Sequence, residues 1–262
     1  FGLKHLDALR NIENVEVTSI MGPTKSKIEA LAAERGINHY ATTLEECIER
    51  SDVDAVILST PTQMHANQAI ECMDAGKHVL IEIPMADNLE DSRRVVEKQR
   101  ETGITCMAGQ VRRFNPSHQW IKNKINAGEL KLQQMDAQTY FFRRTNTNAK
   151  GEPRSWTDHL LWHHACHTVD LFQYQTGSKV VQAYGLQGPL HPELEIAMDM
   201  SIGLKTDDGA ICTLSLSFNN DGPFGTFFRY ICDNGTYIAR YDDLFDGNNN
   251  KIDLSNVAVS NN

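Results

Sequence analysis

The chain has 262 residues, 40% of them hydrophobic and 23% charged, with a formal net charge of −9. That length can bury one large core or two smaller ones, and the acidic balance argues against nucleic acid, whose phosphates need a basic face. No apolar run approaches membrane-spanning length, no signal peptide is visible, and the six cysteines (Cys47, Cys72, Cys106, Cys166, Cys212 and Cys232) stand apart without a Cys-x-x-Cys pair, so a reduced, cytoplasmic protein is expected rather than a disulfide or zinc scaffold.

The chain opens without an initiator methionine on Phe1-Gly2-Leu3-Lys4-His5, which reads as the interior of a βα turn, so a first strand with its glycines is expected upstream. It stops at Asn261-Asn262 in a polar stretch, and a closing element is expected beyond it. Leu3, Leu6, Leu9 and Ile12 fit one helix face, and Val15 to Met21 alternates as a strand. A helix from Lys25 closes at Gly36, and a short one through Leu44, Cys47 and Ile48 follows a Thr42 or Thr43 cap. Then comes the densest stretch, Asp54 to Met85. The apolar run Ala55 to Leu58 ends in Ser59-Thr60-Pro61; a helical period through Ala66, Ala69, Ile70 and Met73 stops at Gly76. A second run, Val79 to Ile81, ends in Glu82-Ile83-Pro84. Strand, crossover helix and strand of this length predict a parallel βαβ unit whose strands' carboxyl ends point the same way. Ligands of open parallel sheets bind outside the carboxyl ends of the strands, where both polar signatures fall. A helix through Leu89, Val95 and Val96 to Gly103 and a strand from Ile104 to Ala108 continue the alternation, predicting a Rossmann-type, doubly wound parallel α/β sheet.

The pattern changes after Gly109. Pro116 opens a helix through Trp120, Ile121 and Ile125, and from Leu132 strands dominate. Ile196, Met198, Met200, Ile202 and Leu204 alternate, as do Cys212, Leu214, Leu216 and Phe218 after an Asp208-Gly209 turn; Asp233-Asn234-Gly235 marks a hairpin. One helix, about Trp156 to Gln175, interrupts them, and Asn248-Asn249-Asn250 reads as a loop. The expected organisation is a dinucleotide-binding domain over residues 1–115 and, over 116–262, an α+β domain with a large, mostly antiparallel sheet for substrate and oligomer contacts.

Five motifs in order carry a resemblance: Ser-Thr-Pro-x-x-x-His at 59–65, Ala-Gly-Lys-His-Val at 75–79, Glu82-Ile83-Pro84, Gly109-Gln110-Val111-Arg112-Arg113-Phe114-Asn115-Pro116, and His163-x-x-x-His167-x-x-Asp170. The chain resembles the Gfo/Idh/MocA oxidoreductases over its whole length. The resemblance implies that Ser59, Thr60, Pro61, His65, Glu82, Ile83, Pro84 and Arg112 border a nicotinamide dinucleotide. Within the family, Pro61 to His65, Arg154 to His164 and Phe218 to Pro223 resemble members that oxidise, with NADP, the cyclic hemiacetal of a carboxylated protocatechuate ring-cleavage product to 2-pyrone-4,6-dicarboxylate. The resemblance also implies a homo-oligomer, a dimer above all. A family relative acting on a sugar or cyclitol, and a non-catalytic NADP-binding protein, remain alternatives.

Gly2 fits the third glycine of a G-x-G-x-x-G turn, although a plain turn glycine gives the same sequence. After the strand ending at Met21 an NAD enzyme would offer an acid to the ribose hydroxyl, but Thr24-Lys25-Ser26 stand there. These residues can donate to a 2′-phosphate, so NADP is expected; the bland alternative is a solvated helix start. Glu82-Ile83-Pro84 departs from the family's Glu-Lys-Pro, and Ile83 can neither move a proton nor hold an anion. Oxidation of a hemiacetal then needs another base, and histidine suits. His167 falls on the family's catalytic histidine and is expected to be the base, with Asp170 a turn away; kcat/KM should rise through a histidine titration. His163, at i−4 on the same face, replaces the family's aspartate and is expected to bind or orient the substrate. His159 and His164 read as core or helix-surface residues. Histidines at i and i+4 with a carboxylate can also hold zinc, but no His-Glu-x-x-His arrangement appears and no metal is expected.

A substrate with two or more carboxylates calls for guanidinium forks. Arg113 and Arg144 are favoured by location, with Asn115 as an amide partner and Arg154 in the same cluster as Lys150. Adjacent strand residues face opposite ways, so at most one of Arg143 and Arg144 enters a cleft. Arg229 is a remote further choice.

Overall fold

The computed structural model describes residues 1–147, 151–155 and 157–259, and the chain divides into two compact units, Phe1–Gly109 and Gln110–Asn262. The Gln110–Asn115 segment therefore goes with the second unit. Lys150 and Trp156 lie outside the described residues. No helix among the described residues is long and apolar enough to cross a membrane.

The first unit runs α1 (Gly2–Leu9), β1 (Ser19–Met21), α2 (Lys25–Arg35), β2 (His39–Ala41), α3 (Glu45–Ile48), β3 (Ala55–Leu58), α4 (Thr62–Asp74), β4 (His78–Ile81), α5 (Leu89–Thr102) and β5 (Cys106–Ala108). All its strand pairs are parallel, β1 with β2 and β3–β4–β5 in that order. The predicted α4 face is the one that packs: Ala66, Ala69, Cys72 and Met73 are buried with Leu58, Val79 and Ile81. Each large apolar side chain so buried contributes about 1.5–3 kcal/mol. Register makes the carboxyl ends level, Leu58 opposite Ile81 and Ile81 opposite Ala108. The ladder runs one step further: Glu82 N donates to the Leu58 carbonyl (2.9 Å) and Gly109 N to that of Ile81 (2.8 Å). Ser59, Glu82 and Gly109 consequently share one edge.

Helix ends follow local chemistry. Asn88 caps α5, its Oδ1 accepting from Asp91 N at 2.8 Å, and Gly36 and Gly103 close α2 and α5 at φ 69° and 68°, a conformation that costs a side chain dearly. The N-terminal expectation fails in part. Only Ser19–Met21 of the predicted Val15–Met21 strand is paired, through β2, which the pattern did not reveal. The helix ends at Leu9, so Ile12 lies beyond it, and no residue of α1 is fully buried, Leu3 being 52% exposed.

The second unit continues with a 3₁₀ turn (Val111–Phe114), α6 (Pro116–Asn126), β6 (Leu132–Tyr140), a π-helix (Leu160–Ala165) running into α7 (Cys166–Thr176), and β7 (Val180–Gln187), β8 (Asp199–Thr206), β9 (Ile211–Ser217), β10 (Gly225–Cys232), β11 (Gly235–Arg240) and β12 (Asp243–Asp246). The sheet order is β12-β11-β10-β6-β9-β8-β7, antiparallel except for β6 with β9. The hairpin expected at 233–235 joins β10 to β11, with Cys232 opposite Gly235. Alternation predicted the buried side of β8 (Met200, Ile202, Leu204), although the strand begins at Asp199 rather than Ile196. One sheet face is covered by Ile121, Leu160, Ala165, Leu171 and Phe172, which pack on Met135, Ala137, Leu214, Leu216, Phe228 and Tyr230. Register sends Tyr184, Leu186, Ser201, Ser215, Gln138 and Arg229 to the other face. Arg229 thus stands on the side away from the helices, which removes it from the substrate candidates.

Candidate active site

In the first unit the expected cofactor residues gather at the carboxyl edge. A Cβ on Gly2 would meet Ser59 Oγ at 2.9 Å, so the start of α1 lies against the loop after β3, and a side chain there would have to turn the Ser59 hydroxyl aside. His65 is buried and ties the loops after β3 and β4 together, one ring nitrogen 2.8 Å from the Pro84 carbonyl and the other 2.8 Å from that of Thr60. Thr60 Oγ1 donates to Gln68 Oε1 (2.5 Å). Pro61 is the N-cap of α4, and Ile83-Pro84 is a cis peptide. Glu82 holds a partner the sequence did not suggest: His5 Nε2 lies 2.6 Å from Glu82 Oε1. Only the side-by-side placement of α1 and β4 could disclose that pair. Ile83 is half-buried. Thr24, Lys25 and Ser26 are exposed at the start of α2, whose first turn carries no acid and whose Thr24 hydroxyl makes no cap bond. A glycine packed at the edge and an open helix start fit a nicotinamide dinucleotide.

In the second unit the histidine segment is not the regular helix expected. Its first turns are π-helical, a rare geometry frequent at functional sites, and the wider turn disturbs the i, i+4 face on which His163 and His167 were paired. His159 caps the segment, its Nδ1 accepting from Leu161 N (3.1 Å), and His163 Nδ1 accepts from His159 N (3.1 Å). His163 is thereby drawn back onto the chain before it. Burial, with the nearby Arg112 charge and His164, pushes His167 down to about 3, and burial pushes His164 down to about 4. Both are neutral at ordinary pH, so the expected histidine titration of His167 is corrected. Its Nδ1 is buried with no hydrogen-bond partner among the described residues. Asp170 does not serve it. Arg113 Nε donates to Asp170 Oδ2 at 2.6 Å and Arg113 Nη2 to Oδ1, closing a bidentate fork, while Tyr174 lies under the guanidinium at 4.9 Å. The fork expected for a substrate carboxylate is therefore already filled by the protein.

Asn115 is likewise engaged, Nδ2 donating to Asp242 Oδ1 at 2.7 Å. Arg144 is exposed; its Nη1 donates to the carbonyls of Arg143 (2.8 Å) and Phe218 (3.2 Å), and its guanidinium stacks on Phe142 at 4.1 Å. Its neighbour Arg143 turns the other way, as alternation requires, and meets Asp158, which Arg154 Nη1 also reaches at 2.9 Å. The choice of Arg144 over Arg143 is thus reversed. Arg112 is half-buried against Phe228 (5.2 Å), and no carboxylate answers it among the described residues; burial lowers its pKa. Beside it Cys166 is pushed up to about 12, an unreactive thiol. Gln110 Oε1, Arg143 Nε, His164 Nε2, His167 Nδ1 and Thr168 Oγ1 are all buried without partners. Natural interiors leave few such atoms, and buried water or a bound ligand completes the bonding of those that remain. Among the described residues no three His, Cys, Asp or Glu side chains gather where a metal ion could be held.

A parallel sheet with a nucleotide-type edge, joined to an α+β unit carrying neutral histidines and buried guanidinium groups, defines a dinucleotide-dependent dehydrogenase. Residues 1–110 match the oxidoreductase family with an NAD-binding Rossmann fold, and residues 116–258 match the bacterial oxidoreductase C-terminal family. The chain is 67% identical over 260 residues to the 4-carboxy-2-hydroxymuconate-6-semialdehyde dehydrogenase of Sphingobium sp. strain SYK-6, covering 99% of this chain and 82% of that one. It is 27% identical to the scyllo-inositol 2-dehydrogenase (NAD(+)) of Bacillus subtilis over 67% of this chain, spanning only 50% of that relative. The oxidoreductase domain protein of Kribbella flavida superposes with a TM-score of 0.83 at 19% identity, over 97% of this chain and 77% of that one, a likeness of fold. The chain belongs to the Gfo/Idh/MocA oxidoreductase family.

Proposed function

We propose that the protein oxidises the cyclic hemiacetal of 4-carboxy-2-hydroxymuconate semialdehyde to 2-pyrone-4,6-dicarboxylate with NADP, in the breakdown of protocatechuate. The observation that carries this reading is the 67% identity with the named dehydrogenase across 99% of the chain. When bound, NADP supplies the hydride acceptor. Gly2, Ser59, Thr60, Pro61, Glu82, Ile83 and Pro84 form the edge that would hold it, His65 fixes the two loops of that edge, and Thr24, Lys25 and Ser26 would donate to its 2′-phosphate.

His167 takes the hydroxyl proton on its unpartnered Nδ1. The imidazole is neutral at working pH, and the tautomer that acts as base is the one with its proton on Nε2, which leaves the Nδ1 lone pair free. His163 orients the substrate, and Arg154 binds it; the engaged Arg113, Asn115 and Arg144 shape the surroundings. The six free thiols fit a reducing, cytoplasmic setting. Copies associate as a dimer through the open sheet face, where Tyr184 and Leu186 on edge strand β7 are 61% and 69% exposed. A measured mass equal to one chain at micromolar concentration contradicts the dimer.

The deciding assay gives the protein NADP and the ring-cleavage product of protocatechuate and follows NADPH absorbance. Rapid reduction with formation of the pyrone is expected. Faster turnover of scyllo-inositol, or NADP binding without turnover of any alcohol, overturns the reading.

A further inference from the structure

Past the ends of β6 and β9, Phe141 N donates to the Ser217 carbonyl (2.8 Å), and an isolated antiparallel bridge between Phe142 and Asn219 follows, in which Arg143 N donates to the Phe218 carbonyl (2.9 Å) and Asn220 N to that of Phe141 (3.2 Å). This extension holds Phe141 and Arg143 on one side, and Phe142 and Arg144 on the other. On the first side Arg143 Nη2 and Arg154 Nη1 both meet the same oxygen, Asp158 Oδ2. The three side chains are only 18%, 22% and 10% exposed. One carboxylate oxygen is shared between two guanidinium groups, so Arg143 keeps donors that Asp158 does not fill, a costly arrangement largely out of water unless an acceptor completes it. Arg143 Nε is buried with no acceptor among the described residues. Burial pulls the Arg143 pKa down although Asp158 opposes it.

His164 belongs to the same group. Its charge state responds to Asp158 and Arg143, and its Nε2 is buried without a partner. Its ring lies 5.2 Å from both Phe141 and Phe218, and Phe218 also underlies the Arg143 guanidinium at 5.2 Å. Aromatic walls and a planar fork suit a flat carboxylate attached to a ring.

We infer that Arg143, positioned by Asp158 beside Arg154, binds one ring carboxylate of the substrate, with His164 Nε2 as the neighbouring contact, and so sets specificity for carboxylated rings. This inference rests on the dicarboxylate reading of the function.

The test is steady-state kinetics of the full chain, Arg143→Met and Arg143→Lys, with the dicarboxylate hemiacetal and its two monocarboxylate analogues. Losing one charge-assisted fork is expected to raise KM about 30- to 100-fold in Arg143→Met, with kcat within about threefold. Arg143→Lys keeps the charge beside Asp158 and the fold, yet lacks the planar fork, so its KM should rise by at least about tenfold. For the one monocarboxylate analogue lacking the recognised group, parent and variants should share a KM. The NADP dissociation constant should not move. A parent that cannot oxidise the hemiacetal refutes the functional reading. A parent that oxidises it while Arg143→Lys keeps the parental KM refutes only the role of Arg143. Weakened NADP binding in either variant also overturns that role, because it assigns the group to the cofactor's phosphates.

Discussion

Arg113 grips Asp170 from the 3₁₀ turn that opens the second unit, its Nε 2.6 Å from Oδ2, so the two residues staple that turn to α7. The pair removes one arginine from the substrate candidates and one acid from the histidine relay, and both removals can be measured.

Arg113→Met should behave as a stability change. Truncation leaves Asp170 with its charge unanswered and only 18% exposed, and with Arg113 itself 39% exposed the loss should be about 1–3 kcal/mol. Denaturant unfolding of Arg113→Met, Asp170→Asn and the double variant should give a coupling energy above about 1 kcal/mol. A large rise in KM for the dicarboxylate with undiminished stability returns Arg113 to substrate binding.

Cofactor choice follows from the first turn of α2, which has no acid and exposes Lys25. The parent should bind NADP more tightly than NAD, and Lys25→Ala should erode that preference by about 1–2 kcal/mol. Equal dissociation constants of the parent for the two cofactors, measured by fluorescence titration, contradict it.

The proton's route should be visible as a change in rate without a histidine inflection. His167→Asn should lower kcat by about 10²–10⁴-fold with cofactor affinity preserved. Because His167 is held down at about 3, kcat/KM of the parent should be flat where an ordinary histidine titrates. Ile83→Lys should not restore His167→Asn, since a half-buried site filled by an apolar side chain disfavours a charge. Parental turnover by His167→Asn transfers the role to His163.

Acid should loosen the second unit before its carboxylates titrate. His118 and His167 are depressed to about 3 and His164 to about 4, each chiefly by burial. A histidine with a lowered folded pKa is neutral in the folded state while the unfolded chain takes up a proton below about 6.5, so stability is full above that pH. It falls as pH drops from about 6.5 toward 4, by roughly 1 kcal/mol per pH unit for each group. Urea unfolding at about pH 7, 6 and 5 should show this slope, and His118→Phe should lessen it by about one group's share, roughly 1 kcal/mol per pH unit. His118 is the chosen probe because its Nδ1 is engaged by the Tyr230 hydroxyl at 2.8 Å, away from the proposed chemistry. A stability that does not change over that range contradicts buried neutral histidines.

Much of the architecture was legible from local order alone. A period of 3.6 between two apolar runs predicts α4 between β3 and β4, glycines end α2 and α5 where φ must be positive, and alternation identifies the buried side of β8. Those features depend on neighbours in sequence, and the carboxyl edge bearing Ser59 and Glu82 follows from them. Residue types were legible too: an isoleucine at 83, an acid-free turn at 24–26, histidines at 163 and 167. Partnership was not. Whether Arg113 meets a substrate or Asp170, which of Arg143 and Arg144 turns toward Asp158, and whether His167 titrates or stays neutral depend on strand register, on the π-helical turn and on burial by distant segments. A charge is solvated or paired according to what the folded chain packs against it, and no spacing along the chain carries that information.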